Sequence, residues 1–438
     1  MDQTRDFYGY RLAEVNETNP VTAASPIYND QGVLLMANGK QLTRSQADVI
    51  AQHKLIKPLE HSVNVTKSLD SNGLFELIEK FSSQLPGLHA VAHKESVREL
   101  LKKNCKYYAK HPLLRQKLTV LASQLPNIYY GSLYSAVAGV VLAEELKLDD
   151  KEIRTIFIGG LMHNVGFLHL DPELTKNEDQ LEKDETITVQ AHPVIAKHFL
   201  DNVPGLSKEV GKAVLDHHER TDGTGYPRHR FGVDLSITSQ VIAFTDELVR
   251  AYKQCEHYGA HAHPLMMLIL QFNSSIHFES VYKAAACLMK RGPNPDTPPN
   301  ISPKAQTLVE QQMRITETFN ATKKLAFVLM KNTRTRTTKS IASMLGRLAT
   351  SIISAGITQE EYREWLEDLA RKPDPEEALE LLKSKIMQDE IEMQIERFKS
   401  IMWQNIKQIP KEDDLLLENC IRSYNQIDRL KVREESVA

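Results

Sequence analysis

Residues 217–227 read His-His-Glu-Arg-Thr-Asp-Gly-Thr-Gly-Tyr-Pro, and the rest of the chain is best read outward from them. Two adjacent histidines end an apolar helical run, Val210 to Leu215, and a carboxylate follows at once. Gly223, Gly225 and Pro227 then impose a tight turn of unusual backbone geometry. Neighbouring helical side chains point about 100° apart, so His217 and His218 converge only on something broad or seated between them, such as a metal cluster. A polar helix end followed by a surface turn explains a His-His pair by itself. It is a poor explanation of the whole eleven-residue string.

The chain before this string changes character once. Residues 1–66 carry the strand signals: Pro26-Ile27-Tyr28, a turn at Asn29–Gly32, a buried strand at Val33–Met36, and a return over Ile56–Val65. Thr43 and Gln46 form a capping box for a helix from Arg44 to His53. From residue 67 to 291 the pattern is helical. Apolar spacings of three and four run through Leu74–Leu85 and Glu95–Val120, and small residues along Tyr129–Leu148 predict close helix–helix packing. A helix opened by Asp149-Asp150 delivers His163. Another over 185–201 carries His192, Leu206–His218 carries the histidine pair, and Leu235–Tyr252 carries Asp246.

Residues 292–303 hold five prolines and read as a linker. Beyond them, 304–438 is predicted as a helical bundle, with amphipathic helices over Ala305–Leu329, Ile341–Ala355, Glu360–Ala370 and Glu376–Lys407. The expected class is therefore mostly α, with a small α+β unit at the N-terminus. The basic run Lys331, Arg334, Arg336 and Lys339 reads as a solvated loop before it reads as an anion site.

Composition removes several functions. Hydrophobic residues make up 41% and charged residues 25%, which is globular, and a net charge of −3 argues against general binding to nucleic acid or membrane surfaces. The scattered Cys105, Cys255, Cys287 and Cys420 read as reduced core thiols. With no signal peptide and no apolar run of membrane-spanning length, a cytoplasmic protein is expected.

The string resembles the HHExxDGxGYP signature of the HD-GYP family, a subgroup of HD-superfamily metal-dependent phosphohydrolases that hydrolyse bacterial cyclic di-GMP. The resemblance implies transition metals held by His163, His192, His217, His218 and Asp246, with a metal-bound hydroxide as nucleophile. Three positions depart from the family pattern. Asn164 replaces the bridging aspartate of the His-Asp dyad, Gly131 stands at the earliest histidine, and Phe167 stands where a lysine meets the scissile phosphate. Cys255 and Tyr258 occupy the spacings of the basic residues that bind cyclic di-GMP, leaving Lys253 as a substitute.

Two divalent ions bring four positive charges, against which this ligand set offers Asp246 alone, because histidines ligate as neutral imidazoles. One metal position is halved, while His192, His217 and His218 of the other survive. The expectation is one ion (zinc, iron or manganese) or none. The implied function is a catalytically impaired HD-GYP protein acting through its Gly225-Tyr226-Pro227 loop, with an exposed Tyr226 as anchor for partners such as GGDEF-domain proteins. An active phosphodiesterase with a rearranged site, drawing on Asp246 and Glu219, and a receptor that binds cyclic di-GMP without cutting it are the alternatives. His169, His198, His229 and His277 lie off the pattern and are expected to be structural or surface residues.

Overall fold

A computed structural model describes residues 6–82, 92–176, 183–290, 302–332 and 336–432, together with 292, 295 and 299. The N-terminal unit opens with α1 (Tyr8–Val15) and holds two small antiparallel ribbons. In one, β1 (Val21–Ala23) pairs with β4 (Val63–Val65); in the other, β2 (Ile27–Tyr28) pairs with β3 (Leu34–Met36). Between β3 and β4, α2 (Arg44–Ala51) begins at Thr43 with the expected reciprocal capping box to Gln46. The strand expected to be buried at Val33–Met36 is buried only at its end: Met36 is in the core, whereas Val33 is 54% and Leu34 50% exposed, because a two-stranded ribbon has little to cover them. The return over Ile56–Val65 is extended only at β4, after a 3-10 turn at Leu59–His61.

The helical region follows with α3 (Ser71–Ser82), α4 (Glu95–Tyr108), α5 (Pro112–Gln124), α6 (Pro126–Glu145) and α7 (Asp150–Met162). It continues through α8 (His192–Asp201), α9 (Lys208–Leu215), α10 (Ile237–Cys255), α11 (Ala262–Phe272) and α12 (Glu279–Met289). Helix α6 is buried almost all round, and its small residues do what their spacing predicts. A methyl on Gly160 of α7 would sit 2.7 Å from the Ala136 Cα, so the two backbones are nearly in contact. The apolar core runs without interruption from Tyr8 to Met289, which makes the N-terminal unit and the helices one packed body. Between them lies Lys117, fully buried, its Nζ 3.2 Å over the Tyr8 ring, 2.7 Å from His169 Nε2 and 3.8 Å from Glu60.

The C-terminal bundle comprises α13 (Ala305–Asn332), α14 (Arg336–Ser354), α15 (Glu360–Arg371), α16 (Ala378–Ile406) and α17 (Asp414–Val432). It has a core of its own, from Ile315 to Ile427, yet Leu382 and Ile386 of α16 belong to the core of the preceding helices. Most of the 292–303 stretch lies outside the described residues, as do Arg334 and the side chains of Arg336 and Lys339; Lys331 is exposed. All four cysteines are free, but Cys287 is exposed rather than in the core. No helix among the described residues is long and apolar enough to cross a membrane.

Candidate metal centre

Four helices bring the predicted residues to one place. Asp149 caps α7 through a second capping box, with Glu152, and the helix ends by placing His163 in the interior. The following 3-10 turn presses against the start of α8: a Cβ on Gly166 would lie 2.1 Å from the His192 carbonyl oxygen, so only glycine admits His192 here. Helix α9 ends at Leu215 and hands His217 and His218 to the loop, while α10 supplies Asp246.

His192, His217 and His218 each offer a ring nitrogen within 4.8 Å of the others. His192 Nδ1 lies 2.8 Å from the Val189 carbonyl and His217 Nδ1 lies 2.5 Å from that of Val214. Both rings must donate there, which leaves both Nε2 atoms as lone pairs, and these face each other at 3.4 Å. Two facing lone pairs in a dry interior repel unless a cation sits between them. Burial also keeps the rings neutral, pushing His192 down to about 4 and His217 and His218 well below their ordinary value. A neutral, pre-oriented imidazole triad is the donor set of a single transition-metal ion. The residues present fit one such ion.

The dyad side is built differently. His163 Nδ1 donates to the Gly160 carbonyl at 2.8 Å, and its Nε2 receives the Asn164 side-chain amide at 2.8 Å. Asp246 reaches His163 Nε2 at 3.3 Å with one oxygen and His218 Nδ1 at 3.8 Å with the other. Burial works against its charge, but the surroundings, with His163, His217 and Arg220 near it, hold its carboxyl down to about 2. Asn164 therefore spends its amide on the lone pair a metal would need and adds no negative charge. At position 131 a Cβ would lie 3.2 Å from Val249 Cγ1, so packing has closed in where another ligand would enter. This side does not fit a second ion.

The walls are aromatic. Phe167 is buried and stacks on His192 with ring centres 4.2 Å apart. Tyr226 stacks on His218 at 4.6 Å and turns its edge to His192. The expectation of an exposed Tyr226 is thus corrected: the ring is half-buried as a cover over the histidines, while Arg228 and His229 reach solvent. Gly225 permits this by close approach, since a Cβ there would meet the His218 carbonyl at 2.3 Å. Pro227 follows through a cis peptide bond. Lys253 is exposed two turns beyond Asp246, about 10 Å along the helix. Cys255 is buried and Tyr258 half-buried.

Two residues hold the loop in shape. Glu219 is fully buried and accepts the backbone N–H groups of Arg228 at 2.6 Å and Arg230 at 2.9 Å. It is a staple across the loop rather than a spare ligand. Asp222 accepts from Thr224 N–H and hydroxyl with one oxygen and pairs with Arg347 of α14 through the other. The Arg347 contact had no signal in the sequence; a carboxylate beside a histidine pair in a loop was the available hint for Glu219. Of the off-pattern histidines, His198 and His229 are exposed, and His169 bonds Asp6 and Lys117. His277 is buried, and among the described residues its ring nitrogens have no hydrogen-bond partner.

Comparison with known proteins agrees with this architecture. Residues 96–278 match the HD domain family model. The chain is 33% identical over 117 residues to the 3'3'-cGAMP-specific phosphodiesterase 1 of Vibrio cholerae, covering 27% of each chain. It is 27% identical over 134 residues to the cyclic di-GMP phosphodiesterase PdeB of Borreliella burgdorferi, covering 30% of this chain and 35% of that one. It is 32% identical over 113 residues to the cyclic di-GMP phosphodiesterase response regulator RpfG of Xanthomonas campestris, covering 26% and 30%. The match thus spans about a third or less of the length of these relatives. Among solved structures, the HDG"Y"P protein Bd1817 of Bdellovibrio bacteriovorus aligns over 61% of this chain and 95% of its own, at 15% identity and a TM-score of 0.34. Residues 96–278 thus match the HD domain, and the His-His-Glu to Gly-Tyr-Pro string lies intact inside that match.

Proposed function

We propose that this protein serves cyclic-dinucleotide signalling with an HD-GYP site that holds one metal ion and has lost efficient phosphodiester hydrolysis, so that it acts by binding. The observation that carries this reading is the pairing at 3.4 Å of two neutral histidine lone pairs beside an asparagine that occupies the neighbouring ligand position. One divalent ion on His192, His217 and His218 supplies a Lewis acid toward a phosphoryl oxygen. The chain's own residues orient it: Val189 and Val214 carbonyls fix two rings, Asp246 faces His163 and His218, and Phe167 with Tyr226 keeps water from the histidines. Hydrolysis needs a second cation and a bridging carboxylate, and Asn164, Gly131 and Phe167 remove the groups for both.

The relatives are named for phosphodiesterase activity on cyclic di-GMP or 3'3'-cGAMP, which makes a cyclic dinucleotide the ligand class to try first. A partner protein, with GGDEF-domain proteins as the leading class, would meet the outer side of the Gly-Tyr-Pro loop at Arg228 and His229, since the Tyr226 ring is turned inward. Incubation with each dinucleotide in manganese or iron, reading hydrolysis and binding together, tests the proposal. The expected result is no turnover above background; multiple turnovers would establish the active-enzyme reading instead.

A further inference from the structure

The five-residue turn that follows the dyad, Val165–His169, forms one wall of the three-histidine side. Gly166 lies against the His192 backbone and Phe167 stacks on the His192 ring at 4.2 Å, so the turn sets both the place and the plane of that ligand. A 3-10 turn is too short and too poorly hydrogen-bonded to hold its own shape. Its first end continues α7, where His163 bonds the Gly160 carbonyl. Its far end, His169, is held from outside, by the N-terminal unit and by α5.

Four contacts converge on His169. The Phe7 N–H donates to its carbonyl at 3.2 Å, and the Tyr8 ring stacks on the imidazole with centres 5.0 Å apart. Asp6 accepts from Nδ1 at 2.9 Å, which leaves Nε2 as the lone pair that accepts from the Lys117 ammonium at 2.7 Å. Lys117 in turn sits over the Tyr8 ring, 3.8 Å from the Glu60 carboxylate and 4.9 Å from the centre of the Phe199 ring on α8. Gln116 beside it ties the same parts, accepting from the Tyr8 hydroxyl at 3.2 Å and donating to the Val63 carbonyl at 2.8 Å. One buried ammonium thus touches α1, the segment before β4, the turn, and the helix that begins with His192.

A fully buried ammonium is stable only while its partners stay. Tyr8 and Glu60, which supply its aromatic face and its nearest negative charge, both belong to the N-terminal unit. If that unit lifts away, Lys117 loses them, and its side chain has to follow toward water and release His169. The arrangement has a closed state and an open one, with little between. Resting on the one-metal reading above, we infer that Lys117 is a positioning residue of the three-histidine site and that α1 works through it as a latch. Docked, α1 holds Phe167 and His192 in place for the ion; released, it frees them. The N-terminal unit is then the control element of the centre, and the bound ion and the docked helix strengthen each other.

The test uses the full-length protein and zinc, with affinity read by competition against a chelating dye and local opening by amide hydrogen exchange. Zinc should slow exchange across α1, although no residue of α1 is a ligand. Lys117→Met should abolish that protection and weaken zinc binding by about tenfold. Asp6→Asn, at the solvent edge of the same chain of bonds, should weaken it by about threefold and carries the expectation if the lysine variant fails to fold. Lys399→Met removes another buried lysine, paired with Glu396 and Asp428 in the C-terminal bundle, and should leave zinc affinity unchanged. Unchanged affinity in the Lys117 and Asp6 variants, an equal loss in the Lys399 variant, or zinc that leaves α1 exchange as it was would overturn the inference. Should the parent hold no zinc at all, the one-metal reading falls, and the metal-free protein decides the latch. There Lys117→Met should speed exchange at 165–169 and along α8 as well as in α1, and faster exchange confined to α1 would overturn it.

Discussion

The two halves of the candidate centre were built from the same kind of residue and ended in different states. On one side, three histidines stand with lone pairs converging and with carbonyls and aromatic rings fixing their planes. On the other, His163 has the same burial, but its free nitrogen is already taken by Asn164 and faced by Asp246. The difference is one of unsatisfied valence. A ligand set that is incomplete without a cation stays a metal site, and one whose hydrogen bonds close on themselves has become part of the core.

The largest separation between the halves should appear in metal affinity. His217→Ala removes one of three converging donors and should weaken binding by at least about 100-fold, whereas His163→Ala should change it by less than about tenfold. Competition with a chelating dye measures both, and equal losses would erase the distinction. Next comes the scaffold of the three-histidine side. Arg347→Met leaves Asp222 buried at the base of the loop without its cation and should cost about 3 kcal/mol in urea unfolding. No loss would mean that the bundle does not brace the loop.

A smaller effect is expected on the dyad side. Asn164→Asp sets a second carboxylate beside Asp246 and should lower metal-free stability at pH 7 by about 1 kcal/mol, while raising uptake of a second manganese ion. Unchanged uptake would place the defect at Gly131 instead. The smallest is the acid limb of the metal-free protein. His192 is depressed from 6.5 to about 4, so the unfolded chain takes up the proton first and stability falls as pH drops from 6.5 to about 4. Asp246, held at about 2, gives stability that is lost only as pH falls from 3.8 through that value. His192→Gln should make the upper window shallower, with the part due to His217 and His218 remaining, and leave the lower one, as followed by denaturant midpoints across pH.

What could be read from sequence was local or periodic. The capping boxes at Thr43 and Asp149 are four-residue patterns, and the close packing of α6 follows from its small side chains. The histidines and Asp246 were found because they match, in order along the chain, the pattern of the family that the His-His-Glu to Gly-Tyr-Pro string resembles. Other features depend on partners far away in sequence. Arg347 meets Asp222 across more than a hundred residues, and Glu390 receives Arg250 from another core. Neither leaves a pattern. Tyr226 was expected at the surface because a turn with glycine and proline usually lies there; the ring turned inward because His218 offers it a flat face. Leu34 was read as buried from its apolar neighbours, though a ribbon of two strands has too little cover to bury it.

The direct measurement is the number of ions per chain. Purified protein is stripped with a chelator, reloaded separately with zinc, iron and manganese, freed of excess ion and analysed for metal and protein together. One ion per chain, lost in His217→Ala and retained in His163→Ala, is the predicted result. Two tightly held ions per chain would contradict the account, because they would require a bridging ligand that Asn164 and Asp246 do not provide.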